Sequence, residues 1–282
     1  MQEKNTNICT YAKKEVLLQC FRPPMDKISK AQIKLVRSLQ HKKFRDELGL
    51  FVAEGEKCVE ELRKGFELVL LVESQESKVE SRETRVYASQ TEIEQMSGLR
   101  TPQGVIGVFK KRPQPSAISF QFSELVLALD GVQDPGNLGT IIRTCDWFGI
   151  HDIICSLDTA DCYNPKVVQA TMGALSRVRI HYVELPAWLA RVKNQEQEIK
   201  IYGTLLDGKN MYEVLDSRAN SQESREIIIM GNEGNGISPE VRPHITHSLY
   251  IPTYTNVKAS DVIESLNVSV ATAIILAEFR RP

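Results

Sequence analysis

The chain has 282 residues, 42 % of them hydrophobic, which is enough to fill the core of one large or two ordinary domains. Its 35 basic and 36 acidic residues leave a formal charge of −1, so there is no global pull toward nucleic acid and any RNA contact must come from a local patch. No run approaches about 18 apolar residues, and the N-terminus has no apolar block followed by a small-residue cleavage site, so neither a membrane span nor secretion is expected. Cys9, Cys20, Cys58, Cys145, Cys155 and Cys162 form no CxxC pair and have no companion histidine at ligand spacing. They are therefore expected to be reduced thiols of a cytoplasmic protein that needs no metal.

In chain order, residues 1–24 follow no periodic pattern, and Arg22-Pro23-Pro24 stops any helix before Met25. A mobile tail is expected there, with Met25 as an alternative start. From Lys27 to Arg45, Ile28, Ile33, Leu35, Val36 and Leu39 give an approximate helical stripe. Lys30, Lys34, Arg37, Lys42, Lys43 and Arg45 supply cations, so a basic helix followed by a basic loop is expected, either as a solvated face or as an RNA contact. GLFVAEG (49–55), a helix at 57–65, a strand at 67–73, a helix around 91–98 and a closing strand at 104–110 make a compact α/β unit. The prolines and polar residues of KKRPQPSAISFQ mark a linker, which divides the chain into a first domain at 25–112, a linker at 113–121 and a second domain at 122–282.

Beyond the linker, strands are expected at 125–130, 151–156, 179–183, 199–206, 225–231 and 248–252, separated by helical segments such as GTIIRTCDWFG and PAWLARVKNQEQE. This alternation predicts a mostly parallel sheet with helices on both faces, whose working edge is at the carboxyl ends of the strands. Three stretches reach that edge: DGVQDPGNLGTIIRT (130–144), IIIMGNEGNGIS (227–238) and IESLNVSVATAI (263–274). Gly231, Gly234 and Gly236 are spaced GxxGxG rather than GxGxxG, which argues against a dinucleotide site. Gly131, Gly136 and Gly139 lack the Lys-Ser/Thr ending of a phosphate loop, which argues against ATP chemistry.

The three stretches resemble the motifs of the SpoU/TrmH type of SPOUT methyltransferase. Asn137 and Arg143 match the first, Gly231, Glu233 and Gly234 the second, and Ser265, Leu266 and Asn267 the third. The segment 27–57 is similar to the small RNA-binding α/β domain that often precedes them. The resemblance implies methyl transfer from S-adenosylmethionine to a ribose 2′-hydroxyl of a structured RNA, ribosomal RNA favoured over tRNA, by a homodimer joined through the last helix; the alternatives are a tRNA ribose or base methyltransferase of the same class and a noncatalytic RNA-binding or ribosome-assembly factor. It also implies a deep trefoil knot in the second domain, an exception to the usual absence of knots.

By the same resemblance, Asn137, Arg143, Glu233, Ser265 and Asn267 are the catalytic residues, and main-chain groups near Thr204, Gly231, Ile251 and Leu266 hold the cofactor. The glycines of the second motif are expected to supply positive φ and a close backbone approach to the adenine. Arg143 is expected on the first turn of its helix, facing an RNA phosphate; the family proposes it as general base, although a guanidinium normally stays protonated. Ser265 and Asn267 can equally cap the last helix. Trp147 and Trp188 are expected to pack against the sheet, with base stacking as the alternative for Trp147 if it is exposed. The chain departs from the family between Ile251-Pro252 and Glu264, where TYTNVKASDVI replaces a shorter Gly-containing link.

Overall fold

The computed structural model describes residues 27–74, 85–113, 125–196, 198–218, 225–254 and 265–281. The expected tail, most of the linker and most of the long 253–263 stretch lie outside the described residues.

The chain forms two compact units, one of residues 1–113 with 163–176 and one of 114–162 with 177–282. In the first unit, α1 (Lys30–Ser38) opens with a capping box in which Ser29 Oγ accepts from the Gln32 amide and the Gln32 side chain accepts from the Ser29 amide. The stretch after it, read as a basic loop, is a second helix, α2 (Lys42–Leu48), ended by Gly49 in the left-handed region at φ 66°. Then follow β1 (Leu50–Glu54), α3 (Glu56–Arg63), β2 (Leu68–Ser74), β3 (Arg85–Ala88), α4 (Gln90–Met96) and β4 (Val105–Lys110).

The sheet of the first unit runs β1-β4-β2-β3, with β4 antiparallel to both neighbours and β2 parallel to β3. Strand β3 is short and opens with an arginine, so its apolar signal falls below what the sequence reading needed. Val36, Leu39, Leu70, Val72, Ile93 and Val108 fill the core between sheet and helices. Residues 163–176 bring α6 (Pro165–Thr171) to the same unit, where Tyr163 packs against Phe51 with ring centroids 4.8 Å apart.

The second unit is built from β5 (Leu125–Leu129), α5 (Pro135–Trp147), β6 (Asp152–Ser156), β7 (Arg179–Val183), α7 (Leu185–Gln195), β8 (Lys200–Asn210), α8 (Met211–Arg218), β9 (Glu226–Met230), β10 (His247–Tyr250) and α9 (Val268–Phe279). Its six strands are ordered β10-β8-β9-β5-β6-β7, and every neighbouring pair is parallel. β5, β6 and β9 are buried along their whole length, which is why they read as unbroken apolar runs. Val126, Ile154, Trp188, Leu189, Ile201 and Ile229 share one core, so Trp188 packs as expected. Because β5 and β9 are adjacent and parallel, the loops that leave their carboxyl ends emerge side by side, and these loops carry the first and second motifs.

Candidate active site

α5 begins earlier than expected. Asp134 is its N-cap, its carboxylate accepts from the Asn137 amide at 2.8 Å, and Pro135 occupies the first turn, where a missing N–H costs nothing. Asn137 therefore lies in the first turn, while Arg143 is the ninth helical residue and not on the first turn. Arg143 is exposed in line with Gly136, Thr140 and Trp147, the exposed stripe of α5. The helix terminus does not reinforce its charge, since that effect fades within one turn.

The three motifs meet through one side chain. Asn137 Nδ2 donates to Glu233 Oε1 at 2.9 Å, and Asn137 Oδ1 accepts from Asn267 Nδ2 at 2.9 Å. A side-chain amide can do both at once from separate atoms, so these two partners fix its orientation. Asn267 is also the N-cap of α9, and its Oδ1 accepts from the amides of Ser269 and Val270 and from Ser269 Oγ. Ser265 and Leu266 stand exposed just before the cap.

Sequence reasoning missed two residues that hold this arrangement. Asn232 Nδ2 donates to the Gly131 carbonyl at 2.6 Å, while Asn232 Oδ1 accepts from the amides of Gly234 and Asn235. Asp130, 7 % exposed, accepts from the Ser238 amide at 2.7 Å. Together they bind the second-motif loop to the end of β5. The available signal was their position, an acid ending a buried strand and an amide opening a glycine-rich turn.

The glycines act differently from expectation. Among Gly231, Gly234 and Gly236, only Gly236 has positive φ, at 68°. Gly231 is required because a Cβ there would come within 2.3 Å of the Gly236 carbonyl carbon and 2.4 Å of the Ile237 nitrogen. The loop folds back on itself, with paired hydrogen bonds between Asn232 and Gly236 backbones. Close approach is thus within the loop, and a Cβ at Gly234 meets nothing nearer than 3.6 Å.

Thr204, Gly231 and Ile251 lie along the carboxyl edge of β8, β9 and β10. Pairing of β8 with β10 jumps from Gly203↔Ser248 to Lys209↔Leu249, so residues 204–208 leave the ladder as an excursion, and β9 pairs only as far as Gly203. Thr204 Oγ1 donates to the Ile229 carbonyl at 3.1 Å, and Leu206 is 70 % exposed. Backbone groups outside the ladder, next to an apolar side chain and the Gly231 loop, fit a cofactor held chiefly by main chain. The chemistry of the donor set therefore suits an adenosyl group.

Among the described residues, no cluster of three His, Cys, Asp or Glu side chains could hold a metal ion, and no helix is long and apolar enough to cross a membrane. Cys58, Cys145, Cys155 and Cys162 are buried thiols, none of them in a disulfide. His181 contacts Asp152 at 2.9 Å, but Asp152 and its other partner Arg179 open β6 and β7 at the amino ends, opposite the motif loops. Burial raises the Asp152 carboxyl, yet hydrogen bonds from His181 and Arg179 outweigh it and bring it down to about 2. This pair secures the sheet edge.

Of the basic residues expected to face RNA, Lys30, Lys34, Arg37, Lys42 and Lys43 are exposed, while Arg45 is not. Arg45 is 2 % exposed, and its guanidinium donates to the carbonyls of Leu39 and Gln40, both at 2.9 Å. It cements the α1–α2 turn. Trp147 corrects the expectation in the other direction, being 85 % exposed.

Residues 124–277 match the model of the SpoU rRNA methylase family, and residues 30–107 match the MRM3-like substrate binding domain. The chain belongs to the SpoU rRNA methylase family. Membership makes it a methyltransferase whose methyl donor is S-adenosylmethionine. This SpoU methylase is 30 % identical over 254 residues to the 23S rRNA (guanosine(2553)-2′-O)-methyltransferase RlmP of Bacillus subtilis, covering 88 % of this chain and 96 % of that protein. It is similar to an AdoMet-bound rRNA methyltransferase from Sinorhizobium meliloti, with a TM-score of 0.75, 31 % identity, and coverage of 91 % of this chain and 97 % of that one. A TrmH-family protein from Porphyromonas gingivalis matches with a TM-score of 0.77 and 37 % identity over 90 % of this chain and 98 % of its own.

Proposed function

We propose that this methylase modifies a ribose 2′-hydroxyl of large-subunit ribosomal RNA, acting in the cytoplasm as a homodimer. The observation that carries the reading is the Glu233–Asn137–Asn267 chain, which joins all three motifs at one sheet edge. The substrate follows from the relatives' named activity on 23S rRNA and from the substrate-binding domain match in the first unit.

S-adenosylmethionine, when bound, supplies an electrophilic methyl group. Thr204, Gly231, Ile251 and Leu266 would hold it, through main-chain groups at the edge. The protein's own part is to present the ribose in line and to manage the charge of a weakly acidic alcohol. Asn137, locked by two partners, keeps its polar atoms in fixed directions. Glu233 is the carboxylate of the cluster and can accept from a ribose hydroxyl. Arg143, exposed, offers a guanidinium to the RNA backbone beside the reacting sugar. Ser265 stands next to the same cluster and can add a hydrogen bond to the sugar.

The dimer reading rests on the outer face of α9. Val268, Thr272, Ile275, Leu276 and Phe279 are buried, whereas Val270 is 48 % exposed and, with Ile274 and Ala277, continues a mainly apolar stripe to the surface. Trp147 lies on α5, the helix packed against α9. Such a surface fits a second copy.

The test is transfer of labelled methyl from S-adenosylmethionine to unmodified 23S rRNA and to tRNA, by wild type and Arg143→Ala, followed by nucleoside identification. Label in a 2′-O-methylnucleoside of 23S rRNA is expected, with kcat reduced on the order of 100- to 1000-fold in the variant and cofactor affinity nearly unchanged. Label in a methylated base would sink the ribose assignment.

A further inference from the structure

The first unit carries a pocket that the methyl-transfer site does not use. On α1, Lys30, Lys34 and Arg37 follow one another by four and three residues, which sets them along a single exposed stripe. Among the described residues none of the three pairs with a carboxylate, whereas their neighbours Lys27 and Lys42 meet Glu92 at 3.4 Å and Asp46 at 2.6 Å. The stripe ends at a pocket of about 410 Å³. Arg37, Gln40 and His41 form one wall, and Glu94, with the end of α4, forms the other. Gln40 Nε2 donates to the Met96 carbonyl at 3.2 Å and ties the two walls together.

The chemistry of the walls limits the occupant. Glu94 places a carboxylate across the pocket, which repels a phosphate but accepts from the N–H edge of a nucleobase. His41 is exposed, and its ring is braced edge-on by Phe44 at 6.4 Å, so it offers a flat face for stacking. The volume suits a nucleotide-sized group. The cation stripe, about 10 Å long at 1.5 Å per residue, is longer than one free nucleotide needs and matches a strand continuing out of the pocket.

We infer that this pocket takes one unpaired base of the substrate RNA, stacked on His41 and hydrogen-bonded by Glu94, while Arg37 and Lys34 hold the adjoining phosphates. Unpaired bases displayed from a folded RNA are the features that side chains read most readily. The inference rests on the reading of the chain as an RNA methyltransferase, and it adds a second anchoring point to the same substrate.

The experiment uses the full chain with in-vitro-transcribed 23S rRNA, measuring RNA affinity at several salt concentrations together with KM and kcat for wild type, His41→Ala, His41→Phe and Arg37→Ala. His41→Ala is expected to raise both Kd and KM about 5- to 100-fold, leaving kcat and the salt slope as in wild type. His41→Phe, which keeps a stacking face, should return most of that loss. Arg37→Ala should also weaken binding but flatten the salt slope by about one. A wild type that methylates the RNA alongside a His41→Ala variant of equal KM would overturn the pocket while leaving the methyltransferase reading intact. A wild type that neither binds nor methylates the RNA would overturn both. Thermal melting of His41→Ala should match wild type, because the side chain is exposed and supports no core.

Discussion

The carboxyl edge of the six-stranded sheet and the outer face of α1 are both polar, but they are built in opposite ways. At the sheet edge, Asn137, Glu233 and Asn267 are satisfied by one another across 96 and 130 residues of sequence. On α1, Lys30, Lys34 and Arg37 face outward with no carboxylate partner among the described residues. A closed network has one productive geometry and fails as a unit when a member is lost. An open row of charges fails one increment at a time. Single substitutions should therefore change rate at the sheet edge and affinity on α1.

The largest break in that contrast comes from Gly231→Val. The new side chain would collide with the Gly236–Ile237 backbone, not with a flexible side-chain end, so the second-motif loop must open. Cofactor binding, measured by calorimetry, should be lost, and the melting temperature should fall with it. Gly234→Ala is the control in the same loop. Its Cβ would meet only Asn232 Oδ1 at 3.6 Å, so affinity should stay within about twofold, since surface changes seldom exceed ±0.5 kcal/mol. Equal loss in both variants would mean that the cofactor itself excludes the side chain.

Asn267→Ala probes the network more finely, because the residue both caps α9 and holds Asn137. Loss of the cap should cost about 1 kcal/mol, lowering the melting temperature by about 3 °C. Release of Asn137 should lower kcat by about 100-fold. Asn267→Ser separates the two roles, since serine is a competent cap but too short to reach Asn137. It should keep the melting temperature and lose the rate; a retained rate would assign Asn267 to capping alone.

Much of this was readable before the structure, for definite reasons. β5, β6 and β9 are buried on both faces, so their sequences are continuous apolar runs, and the loops after β5 and β9 had to appear at one edge of a parallel sheet. The resemblance grouped Asn137, Glu233 and Asn267 as catalytic residues, but it did not give the hydrogen bonds by which Asn137 joins the other two. What stayed hidden depends on three-dimensional closeness. Gly231 looks like a flexible turn residue, yet its need for hydrogen in place of Cβ comes from Gly236 folding back onto it. Arg45 looks like one more cation of a basic run, yet it is buried by the two carbonyls it satisfies. Trp147 looks like core, but the position continues the exposed stripe of Gly136, Thr140 and Arg143.

That exposure makes Trp147→Ala informative about surfaces that are neither network nor charge row. If α5 and α9 form the contact with a second copy, an exposed indole on that surface is the natural anchor. The dimer dissociation constant, from analytical ultracentrifugation, should rise by about 10-fold or more, with the monomer's fold unchanged because the side chain supports no core. An unchanged mass at all concentrations would remove Trp147 from the interface.

The smallest effects belong to the charge row itself. Lys30→Ala and Lys34→Ala should each weaken 23S rRNA binding only a few-fold at moderate salt, because an exposed lysine contributes chiefly by releasing counterions from one phosphate. Each should reduce the slope of log affinity against log salt by about one, and the double variant by about two. Because these residues belong to the first unit and the Asn137 network to the second, kcat at saturating RNA should be unchanged in all three. Additive losses in affinity at constant kcat would set the open row apart from the closed network. A kcat that falls along with affinity would mean that α1 also helps to place the ribose.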